Sequence, residues 1–268
     1  TGSTYENARN LPKKFFHNMQ RYEGTNLGRQ EIYGEVISIG MGGIFKPDWI
    51  RIWPRHKQLP EFEWMMMSMD TAFTEKTFNT KTREPDSSAC LVFAYFKDRL
   101  SDGTIVNSII LCNAWDDQLS FPDLREKTRW QFSRSYNKKS PDIILIEEKG
   151  SGISLIQELN RHGLPVIPYN PGNVDKLQRA HVISPLVKSG MVYVMEDKVK
   201  MGEPADYAKN FLEQITHYAG PGSVKHDDYV DAFTQGLRYA RDSGLLTYDY
   251  EAPEPTYYQT PRENPYAR

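Results

Sequence analysis

The chain has 268 residues, 25% of them charged, with 33 Lys and Arg against 35 Asp and Glu and a formal net charge of −2. That length supports one substantial core. The near-neutral balance excludes an overall polycationic surface, although grouped acids can mask a basic face in the total. No apolar run approaches the ~18 residues of a membrane span, and no secretory pattern opens the chain. Cys90 and Cys112, each inside an apolar run, read as buried free thiols of a reducing compartment rather than a disulfide framework.

The opening Thr1-Gly2-Ser3 resembles an expression scar, so the chain reads as a fragment of something longer. Residues 4–46 are polar, Gly-rich and weakly periodic, as expected of a connector. Between Pro47 and Pro60, Trp49, Ile50, Ile52 and Trp53 alternate with Arg51, Arg55 and Lys57. A docking strand is the reading here, with an aromatic and basic DNA-contact patch as the alternative. Trp64–Asp70 is a short apolar run, as expected of a strand buried on both faces, and it ends on a carboxylate. Ser87–Phe96 and Thr104–Trp115 read as two more strands, joined by the turn Ser101-Asp102-Gly103. The three form an antiparallel meander that begins with the central strand.

Leu124–Asn137 reads as a helix carrying Arg125, Lys127, Arg129 and Arg134. Asp142–Glu148 is a second buried strand that ends on acids. Lys149–Gly152 is a turn, and Ile153–Arg161 is a helix closed by Gly163. A strand over Pro165–Tyr169, a helix over Val174–Lys188 and a strand over Met191–Met195 follow. Ala205–Tyr218 is an amphipathic helix through Tyr207, Phe211, Leu212 and Ile215. The last helix ends near Asp242-Ser243-Gly244. From Thr247 onward Pro, Tyr and Glu dominate, the composition of a disordered tail. No internal repeat and no GxxxxGK[ST] phosphate loop occurs.

That last helix begins at His226-Asp227-Asp228-Tyr229-Val230-Asp231-Ala232, three carboxylates in five residues. Val230, Phe233, Leu237 and Ala240 give it a core face, with Asp228 and Asp231 one turn apart. Acids at a helix start suit capping and the helix dipole. One would suffice, however, and a third adds like-charge repulsion, tolerable where a divalent cation sits between the groups.

The order of elements describes an α/β layered domain with a mixed sheet. With the two acid-tipped strands as parallel neighbours, Asp70 and Glu147 lie at one edge, where ligands of open α/β sheets gather. The last helix, crossing that edge, brings Asp228 and Asp231 to the same point. Glu147 and Glu148 face opposite ways, and Glu147 is the expected ligand. Carboxylates without a Cys or His set suit Mg2+ or Mn2+ rather than zinc. Two ions about 4 Å apart can activate water and stabilise a leaving oxygen in phosphodiester cleavage.

The motifs Met67–Asp70, Ile144–Gly152, Asp175–Ala180 and His226–Ala232, in this order and spacing, resemble those of the nuclease domain of the large terminase subunit of tailed bacteriophages. The resemblance spans about residues 60 to 245, and Gly24–Glu35 resembles the segment joining that family's motor to its nuclease. It implies a ribonuclease-H-like α/β fold, a mixed central sheet flanked by helices, occupying 47–246. Residues 1–46 would be a linker after a missing ATPase domain, and 247–268 a disordered tail. It also implies a metal-dependent endonuclease, using Mg2+ or Mn2+ as two ions, that cuts concatemeric viral DNA during packaging in the host cytoplasm. Asp70, Glu147 and Asp228 match the family's metal-binding acids and Asp231 an auxiliary one, with Asp227 and Glu148 as alternates. Lys176 and Arg179 match a basic pair expected to face phosphates of duplex DNA, a solvated helix face being the alternative. Lys149 and Lys225 adjoin the acids as further DNA contacts, and His226 is read as structural. In the full-length context the partners would be the portal protein and the small terminase subunit, with no membrane. The alternatives are another ribonuclease-H-like nuclease, a junction resolvase or transposase, and a module that chiefly docks portal or small subunit.

Overall fold

The computed structural model describes residues 42–72, 87–99 and 103–246, together with isolated positions between 12 and 32. Seven strands form one sheet: β1 (Arg51–Trp53), β2 (Trp64–Asp70), β3 (Ser88–Arg99), β4 (Ile105–Asp117), β5 (Ile143–Glu147), β6 (Val166–Tyr169) and β7 (Val192–Met195). Their order across the sheet is β1-β7-β4-β3-β2-β5-β6. Only β3 runs against the rest among these strands, since β2–β5, β5–β6, β4–β7 and β1–β7 all pair in parallel. The architecture is the expected α/β layering of a mixed sheet between helices. The meander β2–β3–β4 is present, with β3 rather than β2 at the middle of the sheet.

Among the described residues five α-helices cover the two faces: α1 (Phe121–Ser133), α2 (Ser151–Arg161), α3 (Lys176–Lys188), α4 (Asp206–His217) and α5 (Asp228–Asp242). Side chains alternate along a strand, and the sheet divides accordingly. Met65, Met67, Met69, Cys90, Val92, Ile144 and Ile146 pack with Leu124 of α1 and Leu155 and Leu159 of α2. Met66, Leu91, Phe93, Leu111 and Val194 pack with Ile183 of α3, Phe211 of α4 and Phe233 and Leu237 of α5. Cys90 and Cys112 are buried and unbonded to each other, as expected.

One helix boundary is corrected. Helix α1 runs Phe121–Ser133 rather than Leu124–Asn137: Ser120 accepts the Asp123 amide as its cap, Pro122 fits the first turn, and Arg134 is already extended. The segment after Pro47 packs as the expected docking strand, with its tryptophans turned inward. Trp49 and Trp53 are buried, β1 pairs with β7, and Arg51 bonds the Tyr193 hydroxyl at 3.0 Å. The packed body also takes in Gly43–Phe45, ahead of residue 47: a Cβ on Gly43 would stand 1.9 Å from the Thr216 carbonyl oxygen, and Phe45 packs edge-on against Phe233. Most of the 1–46 connector, including all of the Gly24–Glu35 segment except Thr25 and Ile32, lies outside the described residues, as do Ser101 and Asp102 of the β3–β4 turn and the 247–268 tail. Among the described residues no helix is long and apolar enough to cross a membrane.

Candidate active site

Strands β2 and β5 run side by side in parallel, with Met69 opposite Ile146. The next residues, Asp70 and Glu147, therefore end both strands at one sheet edge. Asp70 shares the parity of Met66 and Ser68, and Glu147 that of Ile143 and Leu145, so both face α5. Glu148, just past the strand end, is exposed, whereas Glu147 is half-buried. A sharp turn follows β5: Gly150 adopts φ +53°, and a Cβ on Gly152 would stand 2.1 Å from the Glu147 carbonyl oxygen. Only glycine lets α2 start this close to the strand.

Helix α5 crosses the same edge against β2. Gly236 permits the approach, since a Cβ there would lie 3.1 Å from Ser68 Cβ. Ser68 Oγ donates to the Ala232 carbonyl at 2.7 Å. Gln235 Nε2 lies within hydrogen-bond distance of Ser68 Oγ, the Met69 carbonyl and the Leu145 carbonyl. This buried polar lock fixes the start of α5 over the ends of β2 and β5.

The acids there are not caps. Asp227, at the N-cap position, makes no capping hydrogen bond, and the Tyr229 amide is taken by Gln214 Oε1 from α4 at 2.7 Å. Asp228 Oδ2 accepts from Ser87 Oγ at 2.7 Å. Asp231, 9% exposed, holds Arg179 Nη2 at 2.9 Å on one oxygen and Lys176 Nζ at 2.5 Å on the other. Lys176 also meets Asp227 Oδ2 at 2.7 Å, and Arg179 Nη1 is 3.8 Å from Glu147 Oε2. The basic pair from α3 thus faces carboxylates. Arg179 is buried, which rules out a solvated helix face for it.

Electrostatics ties these groups together. Asp70 keeps some solvent contact but has protein around it on most sides. Burial, then the charges of Asp231 and Asp228, hold its carboxyl well above the usual range, with Glu147 adding and Lys176 opposing. Burial also raises Asp228 and Asp231. Burial pulls Lys176 down, but Asp231 and Asp227 more than compensate and hold it protonated. Among the described residues no three of His, Cys, Asp and Glu stand close enough to hold an ion as they are. The donor set is nonetheless all oxygen and overcharged, the chemistry suited to a hard divalent cation, and Lys176 and Arg179 occupy part of that charge.

Lys149 and Lys225 are exposed, Lys149 on the turn after Glu147. Lys225 and His226 line a recess of about 440 Å³ beside the start of α5, with Asp116, Glu213 and His217. Sequence reasoning did not find Ser87, Gln214 or Gln235. Each is a neutral polar residue whose partner is at least 15 positions away, with no local spacing to mark it.

The family model described as the terminase RNaseH-like domain matches residues 113–239. That span includes Glu147, Lys176, Arg179, Asp228 and Asp231, and Asp70 lies before it. The chain is similar in structure to the large terminase of the thermophilic bacteriophage D6E in complex with ADP, with a TM-score of 0.57 and 15% identity over 85% of this chain and 52% of that one. A further structure of the D6E protein gives 0.56 at 15% identity, over 85% and 53%. The large terminase nuclease of phage G20c with bound magnesium overlays more loosely, at 0.45 and 16% identity over 74% and 98%. At 15% identity the likeness to the D6E protein is one of fold, and the chain spans about half the length of that protein. No curated protein matches it.

Proposed function

We propose that this chain, whose residues 113–239 match the family model of the terminase RNaseH-like domain, is a metal-dependent endonuclease that cuts duplex DNA, serving the packaging of viral genomes. The observation that carries the reading is the convergence of Asp70, Glu147, Asp228 and Asp231 from two strand ends and one helix, each of Glu147, Asp228 and Asp231 bearing on Asp70 or on its basic neighbours.

Asp70, Glu147 and Asp228 are assigned as holders of Mg2+ or Mn2+, two ions in the family pattern, with Asp231 or Asp227 completing the set. When bound, such ions supply an activated water and charge neutralisation at the phosphodiester. The chain's own residues do the positioning. Ser87 orients Asp228 through its 2.7 Å bond, and Arg179 holds one oxygen of Asp231. The Gln235 lock keeps both strand ends and α5 in register. His226, exposed beside the recess, needs no role as a base. Lys149 and Lys225, on the surface near the acids, would meet DNA phosphates. Linkage to a motor domain, a portal protein and a small subunit belongs to the same reading, at the host's packaging machinery.

The test is digestion of supercoiled plasmid with Mg2+ or Mn2+ and with EDTA. The expected result is cutting that EDTA abolishes and that Asp70→Ala loses. Cutting by Asp70→Ala at the wild-type rate would refute the assignment. A preference for four-way junctions, or strand transfer, would move the chain to a resolvase or transposase reading.

A further inference from the structure

Lys176 and Arg179 both reach the acids from α3, but they are held differently. Arg179 has a side chain only 8% exposed, and it binds the Oδ1 side of Asp231. Its Nε and Nη1 are buried without a hydrogen-bond partner, so the guanidinium is fixed by enclosure rather than saturated by bonds. Lys176 is 22% exposed, on a flexible stem. Its ammonium sits 2.7 Å from Asp227 Oδ2 and 2.5 Å from Asp231 Oδ2, and its charge also reaches Asp70 and Asp228. A compact cation bridging two carboxylates occupies the kind of position a metal ion takes.

Resting on the reading of these acids as a divalent-cation site, we infer that Lys176 is a resident counter-cation that must leave Asp227 and Asp231 before a divalent cation can use their oxygens, and that it thereby sets the site's metal affinity. Arg179 stays, keeping Asp231 oriented by its other oxygen. Three acids crowded round Asp70 would repel one another in the metal-free protein. Lys176 neutralises part of that charge and keeps the edge folded before metal arrives. The cost is competition: metal binding is weaker than the bare carboxylates would give. Lys176 is therefore a positioning residue whose effect appears in metal binding before any chemistry.

The experiment titrates Mn2+ alone, without DNA, into the full chain by calorimetry, comparing wild type with Lys176→Met, Lys176→Arg and Lys149→Met. Lys176→Met is expected to bind Mn2+ roughly tenfold more tightly. Its metal-free melting temperature should fall, and saturating Mn2+ should restore it by more than in wild type. Lys149→Met removes the same charge from the same edge without touching the acids, and should change affinity by less than about twofold. Lys176→Arg keeps the charge and should bind no tighter than wild type, an arm that stands even where Lys176→Met fails to fold. Equal or weaker binding by Lys176→Met, equal tightening by Lys149→Met, or tightening by Lys176→Arg overturns the inference. If wild type binds Mn2+ and Asp70→Asn abolishes it while Lys176→Met changes nothing, only the displacement falls. If no variant and no wild-type protein binds Mn2+, the proposed function falls with it.

Discussion

Gln235 Nε2 lies 3.1 Å from the Leu145 carbonyl oxygen, two residues before Glu147, and the same nitrogen lies 3.2 Å from Ser68 Oγ, two residues before Asp70. One buried amide on α5 thus ties both acid-tipped strands to the helix that carries Asp228 and Asp231. Gln235→Leu keeps the bulk and removes the bonds, leaving buried acceptors short of a donor. It should lower unfolding free energy by about 1–3 kcal/mol, measured by urea titration. It should also reduce cleavage in conditions where the protein is still folded.

Gly152 tests the other support. A Cβ there would meet the Glu147 carbonyl oxygen at 2.1 Å, a backbone atom that cannot swing aside. Gly152→Ala must push α2 away from β5 and shift Glu147 with it. A loss of about 1–3 kcal/mol is expected, with weaker Mn2+ binding in the folded fraction. Wild-type stability and metal affinity in this variant would mean that the β5–α2 turn does not position Glu147.

The crowded acids make the metal-free protein sensitive to pH. Burial, followed by Asp231 and Asp228, raises Asp70, and burial raises Asp228 and Asp231. A carboxyl whose folded value lies above its unfolded one stabilises the fold fully below the ordinary carboxylate range, and that contribution is lost as pH rises through the raised value. Glu196 and Asp197, lowered by backbone amides, run the opposite way, so the comparison is made against Asp70→Asn, which mimics the protonated acid. Without metal, Asp70→Asn should be the more stable protein near neutral pH, and the difference should vanish as pH falls to roughly 4. Melting temperatures across that range in EDTA check it. A gap that does not change with pH would contradict the crowding.

DNA binding should be mainly electrostatic. Lys149 and Lys225 are exposed, and Lys176 and Arg179 are bound to Asp227 and Asp231. Replacing Lys149 or Lys225 by Ala should each reduce the slope of log affinity against log salt by about 0.9, read by fluorescence anisotropy with a duplex in EDTA. Slopes equal to wild type would remove these lysines from the DNA surface.

The sheet was legible because β2 and β5 are apolar on both faces and end on acids, so the strand pattern and the acid positions come from the same few residues. Parity along β5 likewise separated Glu147 from Glu148. The start of α1 was not legible from periodicity, because Ser120 and Pro122 mark it through capping rather than through an apolar stripe. Pairing of β1 with β7 joins positions about 140 apart, which no local pattern encodes. The acidic motif and the Lys176–Arg179 pair were both visible as patterns. What could not be read was that they face each other, since that depends on how α3 and α5 pack on the sheet. The long-range bonds of Ser87, Gln214 and Gln235 are hidden for the same reason.

Whether the ends of β2 and β5 and the start of α5 hold divalent cations can be seen by anomalous diffraction from a crystal of this chain soaked in Mn2+. Manganese peaks are expected among the carboxylates of Asp70, Glu147 and Asp228, with Lys176 Nζ drawn away from Asp231. Peaks elsewhere on the surface, with Asp231 still held by Lys176 and Arg179 at saturating Mn2+, would overturn the assignment.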